Sequence, residues 1–132
     1  MINTLDIEIE KTQKSRINEV DFDNIPFGKV YSDHMFLAEY KNGEWGDFRI
    51  KPYQKIHLSP SNSAIHYGQS IFEGMKAYRM KDGSVNVFRP LKNYHRMNLS
   101  ADRMCMPQIP EELFMEGINT LVKLDQNWIK FG

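Results

Sequence analysis

Apolar and charged residues alternate at the start of the chain, with Leu5, Ile7 and Ile9 set against Asp6, Glu8 and Glu10. A period of two is the repeat of a strand with one buried face, so residues 5–11 are predicted as a strand. Residues 13–26 lose the repeat. Ile17, Val20, Phe22 and Ile25 are scattered among polar positions, which reads as an arm lying over the surface. From Val30 to Tyr40 the chain is rich in strand formers, and Trp45, Phe48 and Ile50 recur on the far side of Asn42-Gly43. That dipeptide favours a type I′ turn, so a hairpin over 30–40 and 44–51 is predicted. Pro52 interrupts the run, and a further strand is expected over Tyr53–Leu58. Ser59-Pro60-Ser61-Asn62-Ser63 then offers several N-cap side chains for a short helix expected to end near Gly74.

Met75–Met80 and Val85–Phe88 flank Asp82-Gly83, a second hairpin signal closed by Arg89-Pro90. Leu91, Tyr94, Met97, Asn98 and Ala101 follow at helical spacing. Another helix is predicted from Pro110, whose fixed φ suits a helix start, and Glu111 and Glu112 complement the dipole there. Leu113, Phe114, Gly117, Ile118, Leu121, Val122 and Leu124 form its buried face. Strands, a short helix, a hairpin and two helices imply an α+β fold, an antiparallel sheet with helices packed on one side. A further strand is expected after Trp128–Gly132, so the sequence reads as part of a longer one.

Composition narrows the class. Of 132 residues, 17 are Lys or Arg and 17 Asp or Glu, so the formal net charge is zero and no basic surplus suggests a nucleic-acid or anionic-membrane partner. With 41% hydrophobic residues and 12% aromatic residues in the whole sequence, the chain has enough apolar side chains for one core. Cys105 is the single cysteine, which excludes an intrachain disulfide and a cysteine-rich zinc site; a reducing, cytoplasmic setting is expected. No apolar run approaches the roughly 20 residues of a membrane helix, and Met1–Arg16 suits neither a signal nor a transit peptide. His34, His57, His66 and His95 lack zincin spacing, and no nucleophile elbow, P-loop or dinucleotide fingerprint occurs. Each histidine therefore reads as a structural hydrogen-bonding residue. The eight methionines read as core filler without metal-ligand companions, and Cys105 as a small buried hydrophobe.

Two segments stand above this background: Ser63-Ala64-Ile65-His66-Tyr67-Gly68-Gln69-Ser70-Ile71-Phe72-Glu73-Gly74-Met75-Lys76-Ala77-Tyr78, and Val87-Phe88-Arg89-Pro90-Leu91-Lys92-Asn93-Tyr94-His95-Arg96-Met97-Asn98-Leu99-Ser100-Ala101. Together they resemble the N-terminal domain of the class IV (fold-type IV) pyridoxal-phosphate aminotransferases. Phe27-Gly28-Lys29-Val30-Tyr31-Ser32-Asp33-His34-Met35 is similar to the branched-chain amino acid branch of that family. The resemblance runs from about Phe27 to Trp128. It implies an N-terminal strand and arm over 1–26 and a small domain over 27–132, with the catalytic domain lying outside these residues.

The resemblance also implies roles. Arg96 matches the arginine that grips the phosphate of pyridoxal 5′-phosphate, a task suited to a planar, permanently charged guanidinium; its alternative is an exposed helix arginine. Tyr67 matches a tyrosine facing the substrate, and Phe27, Tyr31 and Phe72 an apolar lining for a branched side chain; their alternative is ordinary core packing. Five helical positions are about 140° of rotation, so Tyr67 and Phe72 share a site only if the helix loosens before Gly74 or the cavity wraps around it. No lysine here stands in the motif of the family's cofactor-linked lysine, so no catalytic residue is expected in this chain and on its own it is expected to be inactive. The family's activity is amino transfer between leucine, isoleucine or valine and 2-oxoglutarate, carried out by homodimers. Other class IV enzymes, such as D-amino acid aminotransferase or aminodeoxychorismate lyase, and a non-enzymatic dimerisation module are the alternatives; the Phe27–Met35 segment speaks for the branched-chain branch.

Overall fold

A computed structural model describes residues 5–131. The strands are β1 (Glu8–Ile9), β2 (His34–Lys41), β3 (Glu44–Pro52), β4 (Ala77–Arg79) and β5 (Val85–Val87); the helices are α1 (Ser63–His66), α2 (Pro90–Arg103) and α3 (Glu111–Leu124). Single 3₁₀ turns occupy Ile17–Glu19 and Gln126–Trp128. The class is α+β. One sheet has the order β1-β3-β2 and the other is the β4-β5 hairpin. Both hairpins are antiparallel as expected, whereas β1 adds to β3 in parallel, pairing Glu8 with Arg49 and Ile9 with Ile50.

The first hairpin turns where Asn42 (φ 54°) and Gly43 (φ 87°) both take positive φ, the requirement of a type I′ turn. Its register runs from His34 opposite Pro52 to Lys41 opposite Glu44, with an irregularity between Leu37 and Glu39. Ile50, in the central strand, is 0% exposed. Leu113 and Phe114 of α3 and Ala101 of α2 complete the buried apolar set. Phe36 and Ala38 of β2 line a common apolar space with Met97 of α2 and Leu113 and Ile118 of α3, so both long helices serve the same sheet face. Gly117 permits the closest approach: a Cβ there would lie 2.6 Å from Cε1 of Phe36. The α2–α3 connection is fixed by Asn98, whose amide donates to the Ile109 carbonyl (2.9 Å) and accepts from the Ile109 N–H (2.8 Å).

The arm lies over the surface and is tied to the sheet. Glu10 N–H donates to the Ile50 carbonyl (2.8 Å), Thr12 N–H to Nε2 of His34 (2.9 Å) and Arg16 N–H to Asp33 (3.0 Å). Leu5 N–H reaches Glu116 on α3 (2.9 Å).

Three expectations are corrected. Tyr53–Leu58 is not a strand: Tyr53 N–H still bonds to the Asp33 carbonyl (2.8 Å), then the chain leaves the sheet with Ile56 and Leu58 exposed. Alternation there selects extended backbone, but a strand needs a partner edge as well. The helix expected to reach Gly74 stops at His66. Asn62 caps it by accepting from Ala64 N–H (2.9 Å), and Gly68 at φ 66° turns the chain out of helical geometry. Cys105 is exposed, not buried. It follows α2 in left-handed conformation (φ 54°), where Cys105 N–H bonds to the Asp102 carbonyl and Met106 N–H to the Ala101 carbonyl; its backbone ends the helix as glycine commonly does.

Candidate functional site

The two segments singled out in the sequence meet in space. Lys76, just before β4, receives the Phe88 N–H on its carbonyl (2.9 Å), so hairpin pairing brings residues 74–78 beside the start of α2. Asn93, one turn into α2, donates to the Gly74 carbonyl (2.8 Å) and to Oε1 of Glu73 (3.0 Å). Arg96, three residues further and on the same helix face, donates from Nε to Oε2 of Glu73 (2.8 Å) and from Nη2 to Oε1. Gln69 reaches across to the Met104 carbonyl at the other end of α2 (2.8 Å). The whole 69–74 stretch therefore lies along α2, held at both ends.

Beside this junction opens a cleft of about 470 Å³ lined in part by Lys76, Arg89, Lys92, Asn93 and Arg96. Four of these five are cationic. Glu73, the carboxylate bonded to Arg96, has a side chain only 5% exposed and is fully engaged, also accepting from Gly74 N–H (2.9 Å). The hydrogen bonds from Arg96, with further ones from Asn93 and Gly74, outweigh desolvation and hold its carboxyl down at a pKa of about 2. The same pairing raises the pKa of Arg96. The cleft is thus a surface with surplus positive charge, and Arg96 is oriented rather than free to swing. Arg89 contributes from a left-handed backbone position (φ 49°) at the cap of α2.

The other residues proposed from the sequence are distributed differently. Phe72 precedes Glu73 in the chain, is 91% exposed and does not line the cleft. Tyr67 is exposed, its ring edge-on to His66 with centroids 4.7 Å apart. Because α1 ends before Tyr67, the chain loosens well before Gly74 and helical rotation does not separate Tyr67 from Phe72. Phe27 is fully exposed on the arm side. Tyr31 stacks on Tyr53 (4.7 Å, 9° between planes) and donates its hydroxyl to the Gly28 carbonyl (3.2 Å). Within the described residues the structure joins Arg96 to the Phe72–Gly74 segment; it does not gather Phe27, Tyr31 and Tyr67 with them into one enclosed pocket.

A second polar cluster escaped sequence reasoning. Asp33, His34 and Asp125 are buried. Asp125 accepts from His34 N–H (2.9 Å) and meets Nδ1 of the same residue at 2.6 Å. Since Nε2 accepts the Thr12 N–H, the network places the imidazole proton on Nδ1, facing Asp125. Asp33 accepts from Arg16 N–H and from Nε1 of Trp128 (3.1 Å). Burial alone would raise its pKa, but these hydrogen bonds, one from Ser15 and the Arg16 charge together keep it lowered. Arm, sheet entry and the end of α3 are thereby tied at one point. Asp33-His34 lies inside a matched segment, but its partner stands 91 positions away, so nothing local announced the pair.

The chain is similar in sequence to curated branched-chain aminotransferases. The chain is 44% identical over 127 residues to branched-chain-amino-acid aminotransferase 2 of Bacillus subtilis (strain 168), covering 96% of this chain and 34% of that protein. It is 41% identical over 113 residues to the branched-chain-amino-acid aminotransferase of Haemophilus influenzae, covering 86% and 33%. It is 37% identical over 128 residues to the mitochondrial branched-chain-amino-acid aminotransferase of Mus musculus, covering 96% and 33%. The chain belongs with the N-terminal region of the branched-chain aminotransferases. It spans about a third of the length of these relatives. No family model matches it.

Proposed function

We propose that this chain forms one wall of the cofactor and substrate cleft of an enzyme that moves an amino group between leucine, isoleucine or valine and 2-oxoglutarate. The observation that carries the reading is the cationic cleft at the junction of the two motif segments, with Arg96 held in place by Glu73. Its residues suit the phosphate of pyridoxal 5′-phosphate: Lys76, Arg89, Lys92 and Arg96 face a space whose nearby carboxylate is already neutralised. When bound, the cofactor supplies the electron sink that makes the Cα proton of an amino acid removable. Arg96 grips and orients the phosphate through the guanidinium edge that Glu73 leaves open. Tyr67 offers a phenol to the substrate's polar end, and Phe27, Tyr31 and Phe72 offer apolar surface to its side chain. Burying a Val, Leu or Ile side chain against such surface contributes about 1.5–3 kcal/mol.

Residues 27–132 then act as the small N-terminal domain, with 1–26 as its arm, in a cytoplasmic homodimer. The exposed aromatic residues would be covered there by the rest of the enzyme or by substrate. The cofactor-linked lysine comes from outside this region, so this chain contributes binding and orientation, not the proton-transfer group.

The test is cofactor retention in the whole enzyme. Removing a charge-assisted hydrogen bond typically costs about 1.5–3 kcal/mol, so Arg96→Ala weakens pyridoxal 5′-phosphate binding roughly ten- to a hundredfold. Arg103→Ala, exposed in the last turn of the same helix, leaves it unchanged. Equal retention by the two variants after dialysis removes Arg96 from the cofactor site. A whole enzyme that fails to transfer the amino group of leucine overturns the assignment of activity.

A further inference from the structure

The Phe72-Glu73-Gly74 segment contributes a carboxylate whose position is unusual for an acid beside an anion site. Its side chain is almost completely buried while that of its partner Arg96 is mostly exposed. Every contact of Glu73 is a donor: Nε and Nη2 of Arg96, Nδ2 of Asn93 and the Gly74 N–H. Asn93 is in turn fixed by its second bond, to the Gly74 carbonyl. Two of the five guanidinium donors are committed to Glu73, which leaves three, two of them on Nη1, for a ligand in the cleft that Arg96 helps to line.

We propose that Glu73 is a positioning residue that sets the orientation of Arg96, so that an incoming phosphate meets the Nη1 edge and Glu73 is never displaced. The inference rests on the phosphate reading above for its consequence, but not for its geometry. An unpaired arginine on an exposed helix face samples many rotamers, and ordering it at the moment of binding carries an entropic cost that pre-orientation removes. The buried carboxylate supplies that order. It also lowers the net charge of the cleft, so it makes no sense as an electrostatic attractor for an anion; its value lies in direction. Asn93 is the secondary support, because its Nδ2 donates to the same Glu73 oxygen, Oε1, that accepts from Nη2 of Arg96.

Arginine side-chain NMR of this chain near neutral pH separates the possibilities. The Nε–H of Arg96 exchanges with water at least roughly tenfold more slowly than that of Arg103, since one is hydrogen-bonded to a buried carboxylate and the other is exposed. Glu73→Gln removes the two-point fork and brings Arg96 to the Arg103 rate, while Asn93→Ala gives an intermediate rate; backbone amide signals of α2 report that the fold is kept. Adding inorganic phosphate to the unsubstituted chain shifts the Nη1 and Cζ signals and leaves Nε–H protected. Equal exchange of Arg96 and Arg103 in the unsubstituted chain overturns the proposal whatever the variants do. So does a folded Glu73→Gln variant with undiminished protection, or a phosphate titration that releases Nε–H and so expels Glu73. Protection of Nε–H with no response to phosphate leaves the positioning by Glu73 standing and instead removes the phosphate reading.

Discussion

The sheet-and-helix body and the 53–76 segment differ in whether they close off an apolar core. In the body, a small apolar core is closed off: Ile50, Leu113 and Phe114 are buried, Phe36 lies against Gly117, and the buried acids and His34 are matched to donors or acceptors, while Phe88 and Leu99 stay exposed at its surface. In the segment, Ile56, Leu58, Ile65, Tyr67 and Phe72 are exposed, and regular structure is limited to the four residues of α1. The segment is nevertheless held in place, by Gln69 to Met104 and by Glu73 and Gly74 to α2. The contrast separates two uses of apolar residues. The body commits part of its apolar set to a core, whereas these residues of the segment remain available to a ligand or to another polypeptide surface. Of the aromatic residues proposed for the substrate pocket, Tyr67 and Phe72 belong to this group, and Phe27 and Tyr31 are exposed outside it.

The largest effect expected from this division is on the body side. Ile50→Ala empties the most buried position of the central strand and lowers stability by about 3 kcal/mol, within the usual range for such truncations. Urea denaturation checks it, and a loss below the level of a surface substitution would show that the body's core lies elsewhere. Gly117→Ala comes next. Its methyl would press on the Phe36 ring, and over-packing of this kind costs about 1–3 kcal/mol. Thermal unfolding of that variant measures it, and an unchanged midpoint would mean that α3 can lift from β2 without penalty.

The junction between the two regions has its own pH signature. Glu73 titrates at about 2 in the folded chain against an ordinary value of 4.5, so the folded state binds fewer protons than the unfolded state between those limits. Its contribution is fully present above about pH 4.5 and is lost as the pH falls toward 2. The stability difference between the unsubstituted chain and Glu73→Gln is therefore expected to be constant from pH 7 to 5 and to shrink below that. A difference independent of pH down to 2.5 would mean that the carboxylate is not paired.

How far the sequence disclosed these features depends on the range of the interactions involved. Asn42-Gly43 and Asp82-Gly83 located both hairpins, because a turn's backbone demand is met by the residues that form it. The apolar spacing from Leu113 to Leu124 identified the face of α3 for the same reason. Tyr53–Leu58 misled because its alternation fits a strand while the sheet edge it would need is absent from its path. Cys105 misled because its role is one of backbone conformation, which composition does not reveal. Of the candidate site, Arg96 and the Phe72–Gly74 segment were visible as motifs, but the bond that unites them spans 23 positions and required the fold. The Asp125–His34 pair was out of reach on the same ground.

One substitution tests the central division, that the exposed aromatic residues serve the site and not the core. Phe72→Ala is made in the whole enzyme, and stability and the KM for leucine are measured on the same preparation. The account predicts a stability change within about 0.5 kcal/mol, as for other exposed positions, and a KM raised roughly tenfold through lost apolar contact. A stability loss of several kcal/mol with an unchanged KM would return Phe72 to the core and contradict the division.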